Sequence, residues 1–311
     1  MTMTMLRSTR IDRCILGVIA FAGLCLLIPA AQAQQTFTNP DDAASALAAA
    51  VKSGVKQDML KVLGADGEDI IDSGDDVADA DARGKFVSAY DARHSVKVDG
   101  KKATLIIGGD DFPFPVPLIH NKAGWEFDTD AGRQEILYRR IGRNELDTIK
   151  TSLAFVDAED EYAGKDRGDG VGVYAQRIVS NPGRKDGLYW PSDNNDSPLG
   201  QLAADASAEG YKASSEPQPY HGYYYRILTQ QGASAPGGAM SYIVKGKMIG
   251  GFALVAYPAD YGNSGVMTFI VNHAGTVYQK DLGEDTAARV KSMTSFDPDK
   301  TWTKVEDQDS K

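Results

Sequence analysis

The spacing of apolar residues changes along this chain, and each change marks a new element. Near the start the spacing is helical. Asn39-Pro40-Asp41-Asp42 supplies a capping side chain, a proline at the first helical position and acid in the first turn, just ahead of the Ala-rich run 43–51. Gly54 ends that helix. A second helix is expected over residues 57–63, stopped by Gly64, and a third over residues 80–92, with Phe86 and Tyr90 four apart on one face. The acidic, glycine-punctuated stretch 66–76 reads as loop. From residue 95 the period falls to two. Residues 95–98 and 103–107 flank Asp99-Gly100 as a hairpin, and residues 114–119 and 125–127 read as two further strands. Three prolines within residues 112–117 confine that segment to an edge or an extended rim.

Residues 133–163 form the longest expected helix, with Leu146, Ile149, Leu153 and Val156 proposing one apolar stripe. A loop-rich span, 164–220, follows. Residues 221–229, 241–245, 248–256, 266–272 and 275–279 read as antiparallel strands, residues 285–293 as a short closing helix, and the polar tail from Lys300 as frayed. The expected fold class is α+β. N-terminal helices with an antiparallel meander occupy residues 34–132, a long helix packed on an antiparallel sheet occupies 133–298, and a flexible tail covers 299–311.

The first 33 residues have a different logic. Arg7, Arg10 and Arg13 precede an apolar run over residues 14–28, and Pro29 and Ala31-Gln32-Ala33 follow. This is the order of a secretory signal peptide cut after Ala33. A retained anchor is the alternative, but the run falls short of the roughly 20 residues that span a bilayer. Cleavage would remove Cys14 and Cys25, the only two cysteines of the 311 residues, and with them any disulfide or thiolate chemistry. It also removes three arginines and one aspartate, which takes the formal charge from −10 to −12. An acidic chain without clustered Lys/Arg is no nucleic-acid binder, and no membrane span is expected after cleavage.

Motifs for chemistry are sparse. Asp166-Arg167-Gly168-Asp169-Gly170 resembles a calcium loop only in outline, because Lys165 and Arg167 fill two carboxylate positions and Gln176 stands where the closing Glu belongs. Asp193-Asn194-Asn195-Asp196 is a second oxygen-rich patch, better suited to side-chain-capped turns. His94, His120, His221 and His273 show no zinc spacing, and neither a nucleophile elbow nor a phosphate loop is present. No cofactor is expected. The most suggestive segment is Tyr220-His221-Gly222-Tyr223-Tyr224-Tyr225. Strand alternation would put His221, Tyr223 and Tyr225 on one face and Tyr220 and Tyr224 on the other. Tyrosine joins an apolar ring to a polar tip, which suits ligand contact and suits an ordinary sheet face equally. The candidate ligand-binding residues are Tyr220, His221, Tyr223, Tyr225 and Trp190.

Several stretches resemble a bacterial family of exported proteins, the domain-of-unknown-function family numbered 2950. They are Ile141-Gly142-Arg143-Asn144-Glu145-Leu146, Arg184-Lys185-Asp186-Gly187-Leu188-Tyr189-Trp190-Pro191, Ser197-Pro198-Leu199-Gly200, Pro219-Tyr220-His221-Gly222-Tyr223-Tyr224, Gln231-Gly232-Ala233, Gly250-Gly251-Phe252-Ala253-Leu254, and Tyr261-Gly262 with Gly265-Val266-Met267-Thr268-Phe269. The resemblance implies no activity and carries no catalytic residue. Asn144-Glu145, read as opening a helix that ends near Tyr162, followed by strands, is similar to the soluble part of a type IV pilin-like or pseudopilin domain. The N-terminal part resembles a cystatin-like or nuclear-transport-factor-two-like cone. The expected function is that of an exported, non-catalytic envelope protein, periplasmic or secreted, that binds an envelope protein or a small ligand. An envelope-polymer hydrolase, and a small-molecule carrier with Phe112, Phe114 and Trp125 at the mouth of its cone, are the alternatives.

Overall fold

Helix α1 (Pro40–Ser53) starts where the sequence places a cap: the Asn39 side chain accepts from the Asp42 amide at 2.8 Å, and Gly54 closes the helix in the left-handed region. The structure, a computed structural model, describes residues 34–191, 196–212 and 217–306. The expected leader, residues 1–33, lies outside the described residues. After α2 (Lys56–Leu63) the stretch read as loop contains a 3₁₀ turn and the short helix α3 (Glu68–Ile71). Helix α4 (Asp76–Ala92) begins earlier than expected because Asp75 caps it, accepting from the Ala78 amide. An antiparallel meander follows: β1 (His94–Asp99), β2 (Lys102–Ile107), β3 (Phe112–Pro113), β4 (Leu118–His120) and β5 (Trp125–Phe127), in the order β1-β2-β4-β5 with β3 at the end of β2. Proline is tolerated in β3 because that strand contributes only two residues at a rim. The first core is built from α1, α2 and this sheet, around Leu47, Leu105, Leu118 and Phe127. Phe114 and Trp125 pack into this core, whereas Phe112 is exposed beneath Arg139.

Helix α5 (Thr129–Ala163) leads into the second core and rests on a five-stranded antiparallel sheet. After α6 (Gly200–Glu209) come β6 (Tyr223–Leu228), β7 (Gln230–Gln231), β8 (Met240–Ser241), β9 (Ile243–Val244), β10 (Lys247–Met248), β11 (Ala253–Pro258), β12 (Met267–Asn272), β13 (Tyr278–Asp281), α7 (Thr286–Ser292), β14 (Ser295–Phe296) and β15 (Thr303–Lys304). The sheet order is β15-β13-β12-β11-β6, so β6 is an edge strand. A smaller sheet, β14-β7-β8, and the β9–β10 hairpin complete it. The tail read as frayed pairs instead: Thr303 and Lys304 lie against Gln279 and Tyr278, with Lys280 over the Trp302 ring. The described residues cluster as one compact α+β unit. Among the described residues, no helix is long and apolar enough to cross a membrane.

One expectation about α5 fails and another holds only in part. Asn144-Glu145 does not open the helix; it sits in the middle, since Asp128 caps the true start. The expected stripe of Leu146, Ile149, Leu153 and Val156 is split: Val156 is buried and Ile149 packs against the second core, whereas Leu146 and Leu153 are exposed. The buried face steps through Asn144, Thr148, Ser152, Phe155, Glu159 and Tyr162. Small hydroxyl residues bring the helix close to the sheet, and their polar atoms are satisfied locally: Ser152 Oγ donates to the Thr148 carbonyl at 2.8 Å. Close approach also governs the other end, where Gly132 lies on Val116. A Cβ there would stand 2.6 Å from the Val116 Cα.

Glu159 departs from this satisfied packing. It is 0% exposed; Oε2 accepts from the Ala175 amide at 2.8 Å, while Oε1 has no hydrogen-bond partner among the described residues. Burial pushes its carboxyl up to about 8, so the folded protein holds it protonated at neutral pH.

Two outcomes follow. Gly132→Ala should destabilise the protein by about 1–3 kcal/mol in urea unfolding despite alanine's better helix propensity, because the clash is with backbone. An unchanged midpoint would contradict the close packing. For Glu159, the folded value lies above the unfolded 4.5, so unfolding releases a proton between these limits. Its contribution to stability is therefore fully present below about pH 4.5, declines as pH rises towards 8, and is flat beyond. Glu159→Gln should cancel that slope, and its melting temperature should gain steadily on the parent's between pH 5 and 8. Parallel curves would show that the carboxyl is solvated.

Candidate functional site

The edge strand β6 borders a cleft of about 870 Å³. Its floor is made by Thr151 and Phe155 of α5 and by Leu254 of β11, next to Tyr225. One wall is the segment from Arg177 to Pro182 with Tyr189. The other is α6, which turns Leu202, Ala203 and Ala206 towards the opening. These positions recur one helical turn apart, so α6 offers an apolar stripe to the cleft, while within the helix only Gly200 is fully buried. Tyr211, Lys212 and residues 217–220 close one end. Tyr224 and Tyr225 both line the space although they point to opposite faces of β6. Only a cleft that runs along the strand's free edge can reach both.

The closed end is rigidly tied. Asp75, 2% exposed, caps α4 with Oδ1; its Oδ2 accepts from the Tyr211 hydroxyl and from the Gly222 amide, each at 2.9 Å. Gly222 is required there: φ is +75°, and a Cβ would meet Asn144 Nδ2 at 2.5 Å. His221, itself at φ +50°, sets Nε2 at 2.7 Å from Glu209 Oε2 and Nδ1 at 3.3 Å from Asp147 Oδ2. Its ring lies 4.1 Å from that of Tyr220, which meets Tyr211 edge-on. Two carboxylates thus occupy both imidazole nitrogens, and the histidine acts as a strut between α5 and the end of α6 rather than as a base facing the cleft.

The electrostatics of the lining are one-sided. Of the 311 residues 43 are acidic, yet no Asp or Glu lines the cleft among the described residues, and its ionic side chains are Arg177 and Lys212. Burial raises the phenol of Tyr220 to about 12, helped by the nearby carboxylates of Glu209 and Asp147. The phenols of Tyr211 and Tyr225 are pushed higher still, by burial first and, for Tyr211, by Asp75 next. All three remain neutral hydrogen-bonding groups, with no phenolate available as a base.

The expected site is only partly assembled. Tyr220 and Tyr225 line the cleft. His221 stands behind its end because a turn, not strand alternation, sets its direction. Tyr223 is fully buried, its hydroxyl donating to the Met267 carbonyl at 2.9 Å. Trp190 is a core residue, its indole donating to Asp196 Oδ1 at 3.0 Å with Arg167 and Lys185 over the ring. Neither reaches the cleft. Sequence reasoning missed Tyr211, Arg177 and the whole of α6. The signal for α6 was present: an Ala-rich stretch between Ser197-Pro198-Leu199-Gly200 and Gly210, which caps the helix at φ +108°.

The two oxygen-rich loops fare differently. Asp166 Oδ1 accepts from the Gly168 and Gly170 amides at 2.8 and 2.9 Å, bonds that hold its carboxyl below the usual range, and Asp169 faces Lys247 at 3.4 Å. Residues 193–195 lie outside the described residues. Among the described residues, no group of three or more His, Cys, Asp or Glu is placed to hold a metal ion.

Neither the curated proteins nor the solved structures include a match to this chain. A family model does match, over residues 34–305, which takes in both cores and every side chain that lines the cleft. The chain therefore belongs to the DUF2950 family, described as proteins of unknown function.

Proposed function

We propose that this chain is an exported envelope protein that works by holding a ligand in the β6 cleft rather than by catalysis. The observation that carries this reading is the cleft itself. About 870 Å³ falls within the roughly 300–1,000 Å³ of sites that enclose a drug-sized ligand, and its walls combine apolar side chains with a few polar tips. Neutral tyrosines bind by ring contact and hydrogen bonding, and they lack the shifted acid and base that proton transfer needs. The pilin-like description of the C-terminal part belongs to the same reading, supported by α5 laid across an antiparallel sheet. Export rests on the arginines, apolar run and Ala31-Gln32-Ala33 of the first 33 residues.

Two measurements test it. Protein recovered from an expressing bacterium should have an intact mass that begins at Gln34; a chain that still carries residues 1–33 in the envelope fraction would remove the cleavage. For the cleft, a thermal-shift screen of small molecules and peptides should yield stabilising ligands, as any binder selective for the folded state must. Ala206→Trp, which fills the cleft from α6, should weaken those ligands by about tenfold or more, equivalent to 1.4 kcal/mol, without lowering the melting temperature. Hits that bind the variant equally well would place binding elsewhere.

A further inference from the structure

The free edge of β6 has a gap in its hydrogen-bond ladder, and the gap meets the cleft at Tyr225. Alternation along the strand fixes which backbone groups face which way. Tyr224, Arg226 and Leu228 stand opposite Tyr257, Val255 and Ala253 of β11, and the Gly222 carbonyl accepts from the Ala259 amide, so the even-numbered residues turn their backbone groups inwards. Tyr223, Tyr225 and Ile227 therefore turn theirs outwards. At one end the outward groups are used: Tyr223 exchanges two hydrogen bonds with Tyr220, at 2.9 and 3.2 Å. At the other end the Thr229 carbonyl accepts from the Tyr242 amide at 2.9 Å. Between these stops the amides and carbonyls of Tyr225 and Ile227 have no hydrogen-bond partner among the described residues.

The reason is local. Tyr220 pairs with Tyr223 across the His221-Gly222 turn, and a continuing hairpin would next set Gln218 against Tyr225. That pair is not made: the returning segment leaves the strand after Tyr220, and Pro217, Gln218 and Pro219 become part of the cleft's end. A bare edge of this kind is a template for one more strand, and proteins usually blunt or cover it. Here it is bordered by the apolar stripe of α6 and by Tyr224 and Tyr225, one from each face.

We infer that the ligand of this cleft is an extended peptide segment, which pairs with Tyr225 and Ile227 as an added strand. The inference rests on the ligand-binding reading above and narrows it to one chemical class. Four backbone groups are on offer, enough for a segment of about four residues, since strands advance by roughly 3.3 Å per residue. Alternate side chains of such a segment would fall on the α6 stripe and on the tyrosines, which is how strand addition acquires specificity. Charge narrows the partner further. Arg177 and Lys212 line the cleft while Glu209, Asp147 and Asp205 stand near Tyr220 at its closed end, so an acidic side chain of the segment is favoured beside Arg177.

The test selects peptides from a random heptapeptide library on the full protein, then follows backbone amide exchange by NMR with the selected peptide. Tyr225 and Ile227 amides should gain protection of about tenfold or more, while those of Tyr224 and Arg226, already paired with β11, stay unchanged. N-methylation of the peptide at alternate residues should abolish binding in one register and leave it nearly intact in the other. Arg177→Gln with Lys212→Gln should reduce the preference for acidic over basic peptides, with the exchange pattern preserved. A peptide that is sensitive to Ala206→Trp but leaves the Tyr225 and Ile227 amides unprotected would overturn strand pairing and keep the cleft as a binding site. Small-molecule hits without any peptide hit would do the same. Protection that appears with protein concentration alone, together with a dimer in sedimentation, would make a second copy of this chain the occupant and overturn the peptide assignment. No hit of any kind would remove both readings.

Discussion

Arg140 stands where the two cores meet, and the relation between them depends on how it is held. Its guanidinium donates to the carbonyls of Asp69 and Ile70, at 2.7 and 2.6 Å, and to Asn263 Oδ1. Asn263 in turn donates to the Asp72 carbonyl at 2.9 Å. A planar fork with five fixed donors can join three acceptors from two distant stretches of chain; a lysine could reach them but could not hold their angles. One turn further on, Asn144 donates to the Ser264 carbonyl at 2.9 Å, and Glu145 Oε1 accepts from the Val266 and Met267 amides. The middle of α5 is thus a row of polar anchors between two apolar contacts. Helix α5 can serve both cores only because its central turns are satisfied by hydrogen bonds instead of by burial.

This seam also positions the cleft. Loop 72–75, fixed by Asn263, carries Asp75, and Asp75 holds Tyr211 and Gly222 at the cleft's closed end. The first core therefore supports a site built wholly from the second. A carboxylate that is 2% exposed and accepts three hydrogen bonds makes a strong joint, because removing any partner leaves a buried polar group unpaired. The rigid end contrasts with α6, which packs lightly and presents its stripe to open space. Stability is concentrated behind the site and is sparse at its wall, the distribution expected where a ligand supplies the missing contacts.

Much of the scaffold could be read from sequence. The capped first helix, the Asp99-Gly100 hairpin, the long helix and the α+β class all follow from local signals that tertiary contacts did not override. The α5 face could not be read this way. A packing surface of Asn144, Thr148 and Ser152 has no hydrophobic period, and of the apolar positions that do repeat, Ile149 and Val156 face the core while Leu146 and Leu153 face outwards. The site was legible in its tyrosines and illegible in its geometry. Strand alternation was applied to His221, which a left-handed turn removes from the strand, and it treated Tyr223 as accessible although α5 and Phe269 bury that face. Edge status is a property of the whole sheet, so no local pattern distinguishes β6 from β11.

The bare edge of β6 poses an apparent contradiction. An unpaired edge invites aggregation, and the usual remedy is to cover it or make it charged. Here the returning segment 217–219 leaves the strand after Tyr220 and makes no hydrogen bond to Tyr225. The unpaired part is kept short, however, bounded by Tyr220 on one side and Tyr242 on the other, and its Tyr225 end lies in the cleft. A long strand from an unrelated protein cannot dock there without first entering between α6 and the 177–182 segment. Shape thus provides the protection that covering would give, and it leaves the hydrogen-bonding groups of Tyr225 and Ile227 accessible to a segment narrow enough to enter.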